Sequence, residues 1–291
     1  KLLWRLRVRR YLINHTHFVF PDGVVAWLIK HLFGLPYIIT AHGTDVPGYN
    51  PDRYKLMHRL LAPFWRRITS EAEAIICPSW HLQGLILTHN PSARTLVIPN
   101  GIDLSRFRAD QPKDGSILVV TRMFERKGVQ YLLRALSGMT SYPVVNIVGD
   151  GPYLAELRRL AEELGVRVNF LGFIDNKTPQ FRQLLESARY FVFTSAAENF
   201  PIVLLEAMAA GLCIITSNDN GCIEVVDDCA VTIAPKQEDL LRQALQRVLD
   251  DPALAEDYGK RARQRVETCF GSEAVTRKHL DLYNTLSARR R

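Results

Sequence analysis

In residues 195–211, SAAENFPIVLLEAMAAG, Glu198 and Glu206 stand at either end of an almost purely apolar run. A carboxylate among apolar neighbours is costly unless it is partnered. The partner can be backbone or an arginine, or it can be ligand hydroxyls, which a carboxylate accepts in pairs. Pro201 suits an early helical position, so the amides of Phe200 to Ile202 would be unpaired helix-start donors suited to phosphate. Arg122 and Lys127 follow the apolar run ILVVT, where two cations could neutralise a diphosphate or simply be surface charges. GDGP, with Gly149 and Gly151, allows close backbone approach to a ligand, though it also reads as a tight turn. FLGFI places Phe173 and Ile174 where backbone could edge a flat base, or be plain strand end and core. In TAHGTD, His42 with Gly43 and Asp45 forms a polar contact or proton handler, or a structural histidine. His15 and His17 share one face of a strand by their i, i+2 spacing, with no third ligand to suggest a metal.

Elements must hold these residues in place. After residue 112 the runs SILVVT, YPVVNIVGDG, VRVNFLGF, YFVFTS, LCIITS and AVTIAP read as strands. Helical stretches GVQYLLRALSGM, PYLAELRRLAEELG, TPQFRQLLESA and PIVLLEAMAAG alternate with them. Apolar strands alternating with helices predict an α/β, doubly wound parallel sheet covered on both faces. Ligands of such sheets sit beyond the carboxyl ends of the strands, where Arg122 with Lys127, GDGP, FLGFI and the loop carrying Glu198 fall, with Glu206 further along on the helix body. The aperiodic RADQPKDGS marks the expected boundary. Before it, FPDGVVAWLIKHLFG and PDRYKLMHRLLAPFWRRITSEA read as helices, the second kinked near Pro63, and LPYIITAHG, EAEAIICPS and TLVIPNGIDLSRF contain strands. The tail reads as helices interrupted at Pro252 and Gly271.

The 291 residues suffice for two domains, and no apolar run is long enough to span a membrane as a helix. Five scattered cysteines without CxxC spacing suggest neither a zinc site nor a disulfide framework, so a reducing cytoplasm is the expected location. Residues 1–110 carry 14 Lys/Arg against 7 Asp/Glu, and the remainder 23 against 23, so the whole +7 excess lies in the first part. That half fits an anionic partner or a solvated basic face.

Taken jointly, THFVFPDG, ITAHGTDV, VIPNGIDLSRF, TRMFERKG, IVGDGP, FLGF and ENFPIVLLEAMAAGLCIIT followed by NGCIEVV resemble the retaining GT-B glycosyltransferases of family 4, the group 1 transferases. The resemblance implies two Rossmann-like domains facing a cleft. An incomplete N-terminal acceptor domain would span residues 1–111 and a donor domain 112–270, with a helix at 271–291 packing back on the first. It implies transfer of a sugar from a nucleotide-diphosphate sugar to the hydroxyl of a glycan or lipid-linked acceptor, with retention by front-face attack and with no metal or other cofactor. Arg122 and Lys127 would hold the diphosphate, Gly149, Gly151, Phe173 and Ile174 would line the nucleoside pocket, and Glu198 would meet the sugar hydroxyls. Asn199, Phe200, Pro201 and Ile202 would present amides, Glu206 would grip the ribose, and His42 would touch the sugar.

Asn199 stands where the family most often has glycine, and Cys222 falls in a loop that is more often GGIPE. KLLWRLRVRR lacks the strand and glycine-rich loop with which the family begins, so a missing segment is expected, with a weakly active or inactive chain that still binds nucleotide. Three rivals stand beside this reading: a glycoside hydrolase using Glu198 and Glu206, a nucleotide-sugar epimerase whose motifs are absent, and a non-catalytic membrane-surface module. For the last, Arg5, Arg7, Arg9, Arg10, Lys55, Arg59, Arg66 and Arg67 interleave with Trp4, Leu60, Phe64 and Trp65, as suits a cytoplasmic, peripheral contact with anionic lipid. No nucleic-acid motif accompanies the charge.

Overall fold

The computed structural model describes residues 11–49, 55–218 and 220–288; the basic N-terminal helix expected at the start lies outside them, apart from Tyr11 and Leu12. Contacts divide the chain into two units, one formed by residues 1–100 with Glu273–Arg291, the other by Gly101–Ser272.

The first unit runs β1 (Asn14–His17), α1 (Asp22–Phe33), β2 (Tyr37–Thr40), α2 (Lys55–Glu71), β3 (Ala74–Cys77), α3 (Trp80–His89) and β4 (Thr95–Val97). Its four strands pair in sequence order, all parallel. Helix α1 carries Asp22 in its first turn and closes on Gly34, whose φ of 66° is a left-handed cap. Helix α3 is capped by Ser79, whose hydroxyl accepts from Leu82 N. Every residue of β2 and β3 is buried, as strands covered on both faces require. Ile39 and Ile75 face Trp65, Ile68, Leu82 and Ile86. Ile38 and Ile76 point to the opposite face, following the two-residue period.

The second unit runs β5 (Ile117–Val120), α4 (Val129–Ser137), β6 (Val145–Val148), α5 (Leu154–Glu163), β7 (Asn169–Gly172), α6 (Pro179–Ser187), β8 (Tyr190–Phe193), α7 (Ile202–Ala209), β9 (Cys213–Ser217), α8 (Asn220–Val226), β10 (Val231–Ile233), α9 (Glu238–Asp250) and α10 (Pro252–Phe270). Its parallel sheet has the order β10-β9-β8-β5-β6-β7. The chain therefore moves outward from β5 on one side and returns to its other side at β8, which makes the carboxyl end of β5 the topological switch point. One cluster of buried side chains lines each face of this sheet, one centred on Phe191, Leu205 and Ile214, the other on Ile147, Leu133 and Leu245.

One sequence expectation needs revision. NGCIEVV, expected as a loop, is helix α8, and Cys222 is fully buried in it. The contacts change partner between Asn100 and Gly101, ahead of the aperiodic stretch, because Ile102 and Phe107 anchor this segment in the second unit's core. After α10 the chain returns: α11 (Ser272–Ala288) sets Val275 and Leu286 against Ile38, Ala74, Ile76 and Ile98 of the first unit. Burying an aliphatic side chain of this kind is worth roughly 1.5–3 kcal/mol, so α11 is an integral layer of that unit.

Candidate functional site

At the switch point of the second unit lies a cavity of about 560 Å³. Residues just beyond four strands line it: Thr121 and Arg122 after β5, Gly149 and Asp150 after β6, Phe173 to Asn176 after β7, and Glu198 after β8. Lys127, Pro201, Val203 and Glu206 complete the wall with apolar Val120, Val148, Phe181 and Phe193.

Backbone packing at the rim explains the glycines. Gly149 has φ +135°, and a Cβ there would sit 1.8 Å from Thr121 O. Its amide donates to Gly172 O at 2.7 Å, tying the β6 end to β7. At Gly128, φ +78°, a Cβ would sit 2.3 Å from Thr194 O, which stitches the Lys127 turn to the end of β8. Ala196 N donating to Arg126 O completes that seam.

Lys127 Nζ and Glu198 Oε1 form an ion pair whose side chains are each 12% exposed. Arg122 lies with its guanidinium 5.2 Å from the Phe124 ring centroid and, among the described residues, has no ion-pair partner. At the opposite end of the residue set, the Glu206 side chain is held on α7 amid Leu204, Leu205, Ala207 and Met208, and is 5% exposed. Burial pushes its carboxyl up to about 7, against the opposing pull of Arg106 and of the Asn176 amide 3.4 Å away. Arg106 is itself fastened by a bond from Nη2 to Asn176 O at 2.6 Å. Leu204 N, bonded to Pro201 O, makes the first turn of α7, so the Ile202 and Val203 amides lie ahead of its ladder. Thr121 lines the cavity, and its hydroxyl is buried without a hydrogen-bond partner among the described residues.

The cavity thus gathers Arg122, Lys127, Gly149, Phe173, Ile174, Glu198, Pro201 and Glu206. Gly151 instead packs on the Met123 backbone, Phe200 stacks edge-on against Phe270, and Asn199 is buried; Ile202 is half exposed and outside the wall. His42 belongs to the first unit, after β2, where its Nε2 stands 3.0 Å from His17 Nδ1. Sequence reasoning missed Thr121, Asp150, Asp175, Asn176 and Arg106. The first two adjoin residues already singled out at strand ends, whereas Arg106 and Asn176 meet only through tertiary folding.

A family model for "Glycosyl transferases group 1" matches residues 103–265, and one for "Glycosyltransferase Family 4" matches residues 1–106. The chain belongs to the group 1 glycosyltransferases. Glycogen synthase of Mycobacterium tuberculosis is 30% identical to this glycosyltransferase over 293 residues, covering 93% of the chain and 70% of the relative. Sucrose-phosphate synthase from Thermosynechococcus elongatus superposes with a TM-score of 0.82 at 27% identity, over 96% of the chain and 74% of its own. Anabaena HepE in complex with UDP also reaches 0.82, at 18% identity, over 94% and 79%. The glycosyltransferase therefore has the GT-B fold and is a hexosyltransferase-type enzyme of glycan biosynthesis. Family membership favours neither the hydrolase nor the non-catalytic surface module.

Proposed function

We propose that this glycosyltransferase binds a nucleoside-diphosphate sugar in the cavity of the second unit and transfers the sugar with retention to a glycan or lipid-linked hydroxyl. The observation that carries the reading is the grouping of unlike polar groups around one cavity at the switch point: two cations, Arg122 and Lys127, and a buried carboxylate, Glu206. The cations and the leading amides of α7 suit a diphosphate. Glu206 suits the vicinal hydroxyls of a ribose, and the backbone near Phe173 and Ile174 a base. Glu198 would exchange part of its bond to Lys127 for sugar hydroxyls, leaving the lysine to the phosphate. HepE, a neighbour of the same fold, is described with UDP bound, which supports a nucleotide donor here.

Transfer follows from that placement. The acceptor oxygen bonds to the anomeric carbon on the face from which the diphosphate departs; the carbon–oxygen bond to phosphate breaks, and the acceptor's proton passes to the leaving phosphate oxygen. Arg122, Lys127 and the amides stabilise the charge that develops on that oxygen, a preorganised electrostatic role that calls on no metal. His42 would contact the sugar.

Calorimetry with a panel of UDP-, GDP- and ADP-sugars tests the donor site. Binding by one of them, weakened in Glu206→Ala, is expected; no binding by any, with the variant indistinguishable from wild type, refutes it.

The acceptor is further proposed to be met in the cytoplasm, at an anionic membrane surface. Helix α1 exposes Val25, Leu28 and Leu32, and α2 exposes Leu56 and Leu60 beside Arg59. Flotation with vesicles of increasing anionic lipid content should carry increasing amounts of protein; flotation independent of lipid charge refutes the contact.

A further inference from the structure

The first unit contains a column of four imidazoles that the proposed reaction uses only at one end. His17 and His15 project from β1, with ring centroids 5.0 Å apart and planes 19° from parallel. His42, on the loop after β2, stacks on His17 at 5.2 Å, and His279 of α11 lies 6.2 Å from His15. The far end is fixed firmly: His15 Nδ1 is 2.6 Å from the Tyr283 hydroxyl, and its Nε2 is 2.8 Å from Thr40 Oγ1. Both nitrogens of His15 are thus committed, and burial together with the neighbouring imidazoles lowers its pKa to about 4.

The near end is held from three sides. His17 Nδ1 faces His42 Nε2 at 3.0 Å. The Phe18 ring lies 4.5 Å from the His42 ring, brought there by a φ of +67° that a phenylalanine seldom adopts. Asp45, buried in the same loop, accepts from His42 N through Oδ1 and from Val19 N through Oδ2, so one carboxylate clamps both segments. Among the described residues, no hydrogen bond engages His42 Nδ1.

We propose that His17 is a positioning residue for glycosyl transfer: its Nδ1 engages His42 Nε2, which fixes the tautomer and orientation of the His42 ring and leaves Nδ1 as the nitrogen offered to the donor sugar. This rests on the reading that His42 meets that sugar. Two nitrogens 3.0 Å apart share one proton, so a neutral pair bonds while a doubly protonated pair repels. The charged and titratable groups around His42 act in opposite senses. Burial lowers its pKa, Asp45 raises it, and His17 lowers it. His15 also couples to His42 directly, since the His42 imidazole is among the groups that lower the His15 pKa.

Histidine side-chain NMR of the full chain from about pH 4 to 9, with ¹⁵N shifts reporting the tautomer, is the test. In His17→Ala the His42 midpoint should rise toward that of an ordinary imidazole and its two tautomers should even out. His17→Asn, whose amide can stand where Nδ1 stood, should keep one tautomer dominant. An unchanged tautomer and midpoint for His42 in His17→Ala overturns the proposal. In donor turnover, His17→Ala should lower kcat about tenfold with nucleotide affinity unchanged, and His17→Asn should recover most of it. Full turnover in His17→Ala beside an inactive His42→Ala also overturns it. Altered His42 shifts in His17→Ala beside an active His42→Ala would instead refute the sugar contact and leave the coupling intact.

Discussion

Replacing Glu206 by glutamine should make the ligand-free protein more stable and its nucleotide binding weaker, with opposite dependences on pH. In the unfolded chain this carboxyl ionises near 4.5, whereas in the fold it keeps its proton to about 7. Over that window the unfolded state binds fewer protons, so stability falls as pH rises. The displacement corresponds to about 3 kcal/mol lost by pH 8, an order-of-magnitude figure for a side chain this deeply buried. Glutamine has the same shape and no proton to lose, so Glu206→Gln should recover most of that loss at pH 8 and little at pH 4.5. At about 2–4 °C per kcal/mol for a unit of this size, thermal melts at the two pH values resolve the difference. Binding should show the reverse. A ribose diol is best accepted by the ionised carboxylate, so affinity for a nucleotide sugar should fall as pH drops below about 7. The glutamine variant should lose roughly 10–100-fold in affinity at pH 8, as expected when a charge-assisted hydrogen bond is removed, and should be flat with pH. Parallel affinity–pH curves for the two proteins, with equal melting temperatures at pH 8, would refute the reasoning.

Gly149→Ala drives a methyl group onto Thr121 O and should abolish nucleotide binding, with the second unit destabilised by several kcal/mol; wild-type binding in calorimetry would show that the rim gives way. Lys127→Met removes one half of the largely buried Lys127–Glu198 pair and should cost about 1–3 kcal/mol, while Lys127→Met/Glu198→Gln should cost less; denaturant titration of both would expose a double variant worse than the single, contrary to expectation. Because the folded pKa of His15 lies near 4 against 6.5 unfolded, the first unit should lose stability as pH falls from 6.5 toward 4, opposite to the Glu206 effect. Hydrogen exchange at β1 and α11 would reveal it, and unchanged protection across that range would contradict it.

The six strands of the second unit were legible because their runs are largely apolar, with β5, β8 and β9 almost wholly buried, and their succession with helices allows few topologies. Residues at their carboxyl ends could be singled out by position alone, and Arg122, Gly149, Phe173 and Glu198 duly line one cavity. Helix α8 was not legible, since Asn220-Gly221 reads as a turn; Gly221 instead lies against Glu198 O, where a Cβ would stand 2.2 Å away. The segment 101–107 is held by isolated anchors, Ile102 and Phe107, each of which needs a partner distant in sequence. The same holds for Arg106 with Asn176, and for His17 with His42. Such pairings are created by the sheet's register, and nothing local announces them.

Helix α11 has a consequence for synthesis. The unit whose strands β1–β4 precede the second unit in the chain also needs a helix that follows it, because Ile38, Ile76 and Ile98 find cover in Val275 and Leu286. The second unit, built from one continuous stretch, can form while the nascent chain is still lengthening. Among the described residues, the first lacks the Val275 and Leu286 cover over Ile38, Ile76 and Ile98 until residues 272–288 emerge, a window in which these side chains are open to chaperones and to wrong partners.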